Sequence, residues 1–137
     1  MTQEFVVRSV GMIRSTLRSR DEAPRQGGEG APDAWLDIDP RFAPALSRIT
    51  LGDDLIIVTW LHQANRDVLE VHPRDDLKNP LTGVFATRSP DRPNPLGLHR
   101  VTVREVQGTR LRIGPMEAID GTPVVDVKAV LNDVANA

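Results

Sequence analysis

The sequence predicts a mainly β fold, a single-domain β-barrel with short helical segments. Three observations carry this. Many short runs of β-branched and apolar residues are separated by Gly, Pro, Asn and Asp. Helical periodicity is confined to one short stretch. Apolar and polar residues alternate in several runs, as where Leu111 and Ile113 share one face and Arg110 and Arg112 the other. The 137 residues suit one domain, 1–137, with no additional C-terminal domain expected. Hydrophobic residues at 39% and charged residues at 26% are ordinary for a soluble globular chain.

The elements follow in order. Phe5–Ile13 is apolar and β-branched enough for a first strand. Residues 18–32, RSRDEAPRQGGEGAP, form a loop of about 15 residues, long enough to be functional or disordered. Trp35–Ile38 is a short strand. Asp39-Pro40 resembles an N-cap followed by proline in the first turn. Phe42, Ala45, Leu46 and Ile49 have helical spacing, but Pro44 limits the element to a turn or two. Leu55–Leu61, LIIVTWL, is a central strand buried on both faces, started by Asp53-Asp54 and ended at His62. Val68–Val71, stopped by Pro73, and Val84–Thr87, after Gly83, are further short strands. Arg100–Val106 and Thr109–Ile113 flank Gln107-Gly108 as a tight hairpin. Val124–Val130 closes the series, Val125 and Val127 inward, Asp126 and Lys128 outward.

Composition excludes several classes. The net charge of −2 argues against nucleic-acid binding by bulk charge alone. Locally, residues 33–73 carry 3 Lys/Arg against 7 Asp/Glu, and residues 74–112 carry 8 against 4, net −4 and +4. No run of 18 apolar residues predicts a membrane span. Glu4 stands where a signal peptide wants basic residues, and zero cysteines exclude disulfides, Cys-bound zinc and a cysteine nucleophile. The expected setting is the cytoplasm. Neither a Rossmann glycine fingerprint nor a P-loop occurs. His62, His72 and His99 lack a metal spacing, so no metal is expected, and no serine sits in a nucleophile elbow.

The unusual segment is 83–98, GVFATRSPDRPNPLGL. Pro90, Pro93 and Pro95 stiffen it. Arg88, Arg92 and Asn94 project from that frame and suit recognition of a carboxylate, a phosphate or a heterocycle edge. The other reading is a structural corner, with Arg88 and Arg92 paired to Asp91, Asp75 or Asp76.

VGMIRS at 10–15, PRQGG at 24–28, LHQANR at 61–66, GVFATRSPDRPNPLGL at 83–98 and IDGTPVVDVK at 119–128 occur in order over nearly the whole chain. Together they resemble the TsaA/TrmO family, also called VirR-like or YaeB-like. The resemblance implies a homodimeric β-barrel methyltransferase that uses S-adenosylmethionine, bound near the subunit interface. It also implies N-methylation of N6-threonylcarbamoyladenosine next to the anticodon of tRNA, so the implied partner is the tRNA anticodon loop.

Carried over by position, Gln26, Gly27 and Gly28 match the family's cofactor loop, where glycine also serves plain loop flexibility. His62 and Gln63 match a strand-end pair that meets the cofactor, though a lone histidine there is more often structural. Arg88 matches an arginine contact and Leu98 an apolar wall. Asp120, Gly121, Thr122 and Pro123 match a turn that otherwise reads as an ordinary Asp-Gly turn. Arg92 and Asn94 fall to the substrate side. No catalytic base is singled out; His62 and His99 are candidates by residue type, and bound water serves equally. Three departures stand out: PRQGG lacks a proline common after the glutamine, His99 replaces a common serine, and the chain stops soon after the barrel. The alternatives are a small-molecule methyltransferase and a non-catalytic S-adenosylmethionine-binding module.

Overall fold

A computed structural model describes residues 2–25 and 27–131. Six strands form a closed barrel: β1 (Gly11–Arg14), β2 (Ala34–Ile38), β3 (Asp54–Trp60), β6 (Leu96–Gln107), β7 (Arg110–Gly114) and β8 (Pro123–Ala129). Their order around the barrel is β1-β2-β7-β6-β3-β8, and every neighbouring pair is antiparallel. Closure leaves no unpaired edge, which satisfies the strand N–H and C=O groups without a second layer. Two short strands, β4 (Glu70–Val71) and β5 (Thr82–Gly83), pair as a separate ribbon. The helical segments among the described residues are 3-10 turns, the longest being Pro40–Leu46.

Alternation along the strands builds the core. Leu55, Ile57 and Thr59 of β3 point inward, as do His99, Val101 and Val103 of β6 and Leu111 and Ile113 of β7. Ile13, Leu36, Met116 and Val124 complete the filling, all fully buried. Each such aliphatic side chain contributes about 1.5–3 kcal/mol on leaving water.

Most predicted strands are present, with informative differences. Of the expected Phe5–Ile13 strand only Gly11–Ile13 is strand, and it continues to Arg14. Asp39-Pro40 turns the chain away from the ladder just where residues before Val10 would need a partner, so Phe5, Val6 and Val7 stay exposed. The expected strand at Val84–Thr87 is instead a 3-10 turn, Val84–Ala86, closed by Thr87 N–H donating to Val84 O at 3.0 Å. Val68–Val71 contracts to Glu70–Val71. The strand expected over Arg100–Val106 starts earlier, at Leu96, straight after Pro95. The hairpin turn is Gly108-Thr109 rather than Gln107-Gly108, since Gln107 pairs with Arg110. Val124, not Val125, takes the buried position with Val127 behind it, because the β3–β8 register shifts between Val58 and Thr59.

The charge asymmetry of the sequence is resolved by register. Acidic β2 lies beside basic β7, Asp37 opposite Arg110 and Trp35 opposite Arg112. Asp33 pairs with Arg104 and Arg112, Asp37 with Arg110, and Asp54 with Arg100. Much of the +4 stretch is therefore neutralised by the −4 stretch on the barrel wall, leaving Lys78, Arg88 and Arg92 without an ion pair among the described residues.

Strand direction sorts the connections. β1, β3 and β7 all run toward one rim, from which β2, β6 and β8 return. That rim carries three connections, residues 15–33, 61–95 and 115–122. The far rim carries residues 39–53 and the Gly108-Thr109 turn. An apolar hollow of about 280 Å³, lined by Val10, Phe42, Leu46 and Leu55 among others, opens at that far rim.

Candidate functional site

The sequence-matched residues that the structure describes lie on the connections of the first rim, or on the strand residues that leave it. Gly27 and Gly28 belong to 15–33, His62, Gln63, Arg88, Arg92 and Asn94 to 61–95, and Asp120, Gly121 and Thr122 to 115–122. Leu98 and Pro123 sit at the starts of β6 and β8. Gln26 lies outside the described residues.

Hydrogen bonds stitch these connections together. Arg20 donates to the Gln63 carbonyl at 3.2 Å and pairs with Asp91 at 3.2 Å. Asp91 also accepts from the Asn65 N–H at 2.9 Å, and the Arg92 N–H donates to the Asn65 carbonyl at 3.1 Å. Arg66 lies over the Trp60 ring, 5.0 Å from its centroid, and donates to Pro93 O at 2.7 Å and Asn94 Oδ1 at 3.1 Å. The Leu61 N–H donates to Pro95 O at 2.8 Å. The proline-stiffened segment is thus laid along 61–66 by side chains and backbone together, which explains its fixed course without regular structure.

Arg88 and Leu98, both matched to the cofactor pocket, meet: an Arg88 terminal nitrogen donates to Leu98 O at 3.3 Å. Arg88 stays exposed and Leu98 half-exposed, so guanidinium and isobutyl group are both presented at the surface. Arg92 is used differently. One of its terminal nitrogens donates to the carbonyls of Val84 and Thr87, the latter at 2.9 Å, and its Nε is buried with no hydrogen-bond partner. Neither arginine takes the carboxylates offered by the structural-corner reading, because Arg20 holds Asp91 and Arg25 holds Asp75.

The 115–122 connection closes the rim from the other side. Asp120 accepts from the Ser15 N–H at 3.0 Å and pairs with Arg18 at 3.3 Å. Gly121, with φ +85°, makes the turn that a side chain would strain, and its N–H donates to Ile13 O at 2.8 Å. Thr122 is buried, its hydroxyl donating to Ile119 O at 2.7 Å. These bonds fix the Asp-Gly turn on β1; Asp120 and Thr122 spend their polar atoms on this chain. His62 is exposed on the turn after β3 with no hydrogen bond among the described residues.

Three residues that sequence reasoning left unassigned complete the picture. Arg20 and Arg66 hold the rim, and Glu117 bonds the buried His99, Oε1 to Nδ1 at 2.5 Å. Arg66 was visible inside the LHQANR match, whereas nothing in sequence pairs Glu117 with His99, 18 residues away. No group of three or more His, Asp or Glu side chains among the described residues is arranged to hold a metal. The rim presents side chains of the types a nucleoside-bearing sulfonium calls for: Arg88 a guanidinium, Leu98 an apolar surface and Glu117 a carboxyl group, with open space beside Gly28.

The chain is similar to several known proteins. A protein of Methanothermobacter thermautotrophicus, named a probable S-adenosyl-L-methionine-binding protein, is 39% identical over 131 residues, covering 96% of this chain and 93% of its own. An Archaeoglobus fulgidus protein, named an S-adenosyl-L-methionine-binding protein, is 36% identical over 124 residues, covering 90% of this chain and 88% of its own. The crystal structure of TrmO from Pseudomonas aeruginosa superposes with a TM-score of 0.75 at 28% identity, covering 98% of this chain; the chain spans 61% of that structure. The tRNA-methyltransferase O N-terminal domain family matches residues 12–135, and the chain belongs to that family.

Proposed function

We propose that this chain binds S-adenosylmethionine at the rim formed by 15–33, 61–95 and 115–122, and methylates N6-threonylcarbamoyladenosine beside the anticodon of tRNA. The observation that carries the reading is spatial. Three connections that carry the family-matched residues, separated by up to about a hundred residues, are bonded to one another at one end of the barrel. Membership of a tRNA-methyltransferase family supports the reaction class, and relatives named for S-adenosyl-L-methionine binding support the cofactor.

The bound cofactor supplies an electrophilic methyl carbon, so the protein's task is alignment and exclusion of water. In this reading Gly27, Gly28 and the Asp120–Pro123 turn frame the cofactor, with Gln26 assigned by the family match alone. His62 and Gln63 flank it, Leu98 covers an apolar face and Arg88 meets a carboxylate. Arg92 holds the 84–92 segment in shape. Its second terminal nitrogen, which unlike Nε is not buried, and the Asn94 amide nitrogen are the donors left for a substrate carboxylate, since Asn94 Oδ1 is taken by Arg66. A homodimer in the cytoplasm completes the reading.

The deciding experiment compares tRNA with and without threonylcarbamoyl modification as methyl acceptor for the purified protein. Transfer to the modified tRNA alone is expected. Equal transfer to both overturns the substrate assignment. No transfer to either, with cofactor bound, moves the protein to the small-molecule enzyme or the non-catalytic binding module.

A further inference from the structure

Glu117 stands on the connection from β7 to β8, beside the loop that the proposed function gives to the cofactor. Its Oε1 lies 2.5 Å from Nδ1 of His99, which is 5% exposed, and His99 Nε2 lies 2.6 Å from Oγ1 of Thr59, fully buried. With Thr59 Oγ1 on one ring nitrogen and Glu117 Oε1 on the other, both nitrogens of His99 are occupied and the Glu117 carboxyl group is held in one orientation. Gly97 makes room for this chain: a Cβ there would stand 2.5 Å from Thr59 Oγ1 and 2.7 Å from His99 Nε2.

The second oxygen looks the other way. Glu117 Oε2 is 3.2 Å from the position a Cβ would take on Gly27. Among the described residues nothing donates to Oε2, and no arginine or lysine pairs with Glu117. The side chain is 16% exposed. A carboxylate mostly withdrawn from water, with one oxygen locked by a buried histidine and the other bare against a glycine loop, is set to meet a cation arriving from outside the chain.

We propose that Glu117, aligned by His99 and Thr59, is a selectivity residue that makes this loop favour a ligand with a cationic sulfonium over its neutral thioether counterpart. The proposal rests on the reading that S-adenosylmethionine binds at this rim. S-adenosylmethionine carries the sulfonium; S-adenosylhomocysteine, left after the methyl departs, carries the thioether. The amino-acid ammonium is common to both and cancels in the ratio of their affinities. A fixed anion therefore stabilises the loaded ligand and not the spent one, which opposes product inhibition.

Calorimetry with both ligands, on the wild-type protein and on Glu117→Gln and Glu117→Asp, tests this. The wild-type protein should prefer S-adenosylmethionine, and Glu117→Gln should cut that preference by about tenfold, mainly by weakening S-adenosylmethionine. Glu117→Asp, which keeps the charge, should retain most of it. Equal weakening of both ligands by Glu117→Gln, or no change in either, overturns the proposal. A second measurement needs no variant: a wild-type protein that binds both ligands equally well overturns the proposal. Failure of the wild-type protein to bind either ligand overturns the proposed function itself, which separates the two failures.

Discussion

Arg20 and Asp91 meet at 3.2 Å across 71 residues of sequence, and their contact joins two of the three connections at the candidate site. Arg20 also holds the Gln63 carbonyl, while Asp91 also holds the Asn65 N–H. One ion pair thus braces the early glycine loop against the strand-end pair and the proline segment. The Asp91 side chain is 27% exposed and that of Arg20 43% exposed, so the brace matters through its shared backbone bonds more than through its charge.

Asp91→Ala should leave the barrel folded but loosen the rim. Loss of the Asn65 bond costs about 0.5–1.5 kcal/mol. Hydrogen exchange in 61–67 and 88–95 should accelerate, with the strands unchanged. Unaltered exchange there would show that the proline segment keeps its course without the brace.

Arg88→Ala should weaken binding of S-adenosylmethionine at least about tenfold, or ~1.4 kcal/mol. The Leu98 carbonyl it releases remains on β6, so the melting temperature should barely move. Calorimetry paired with a thermal scan reads both quantities. Full affinity in the variant would remove Arg88 from the cofactor pocket.

Gly97→Ala should destabilise the protein by about 1–3 kcal/mol, because the added methyl enters the space between Thr59 and His99. Denaturant unfolding measures the loss. A variant as stable as the parent would mean that the Thr59–His99 contact at 2.6 Å yields easily.

Light scattering should give about twice the 15.1 kDa chain mass. Phe5 at 82% and Val6 at 99% exposed offer apolar surface for a second copy. A clean monomer that still binds S-adenosylmethionine would refute a site completed by the partner subunit.

The sequence announced the barrel wherever a strand had a partner within its own pattern. The 109–113 arm was readable because period-two alternation coincides with pairing, LIIVTWL as an unbroken apolar, β-branched run, and the last strand as a strand whose inward face a bulge then reset. Phe5–Val7 has the same composition and does not pair, since pairing depends on where Asp39-Pro40 sends the neighbouring strand. Val84–Thr87 likewise looks β-forming, but its threonine hydroxyl and N–H return to Val84 O and tighten a turn. The site was legible as five matched segments, not as contacts. That Arg92 would turn to backbone carbonyls, or that Glu117 would find a histidine on another strand, depends on registers that local residue types do not encode.

The Gly108-Thr109 turn joins two adjacent strands at the end of the barrel away from every residue assigned to ligand. Its tip carries no bond that the rim depends on, so it is a natural attachment point. A fluorophore, an affinity peptide or a surface tether grafted there leaves the glycine loop, the proline segment and the Asp-Gly turn unhindered. The same barrel that holds the site rigid also insulates it, and a sensor for methyl-donor levels could be built on this chain from behind.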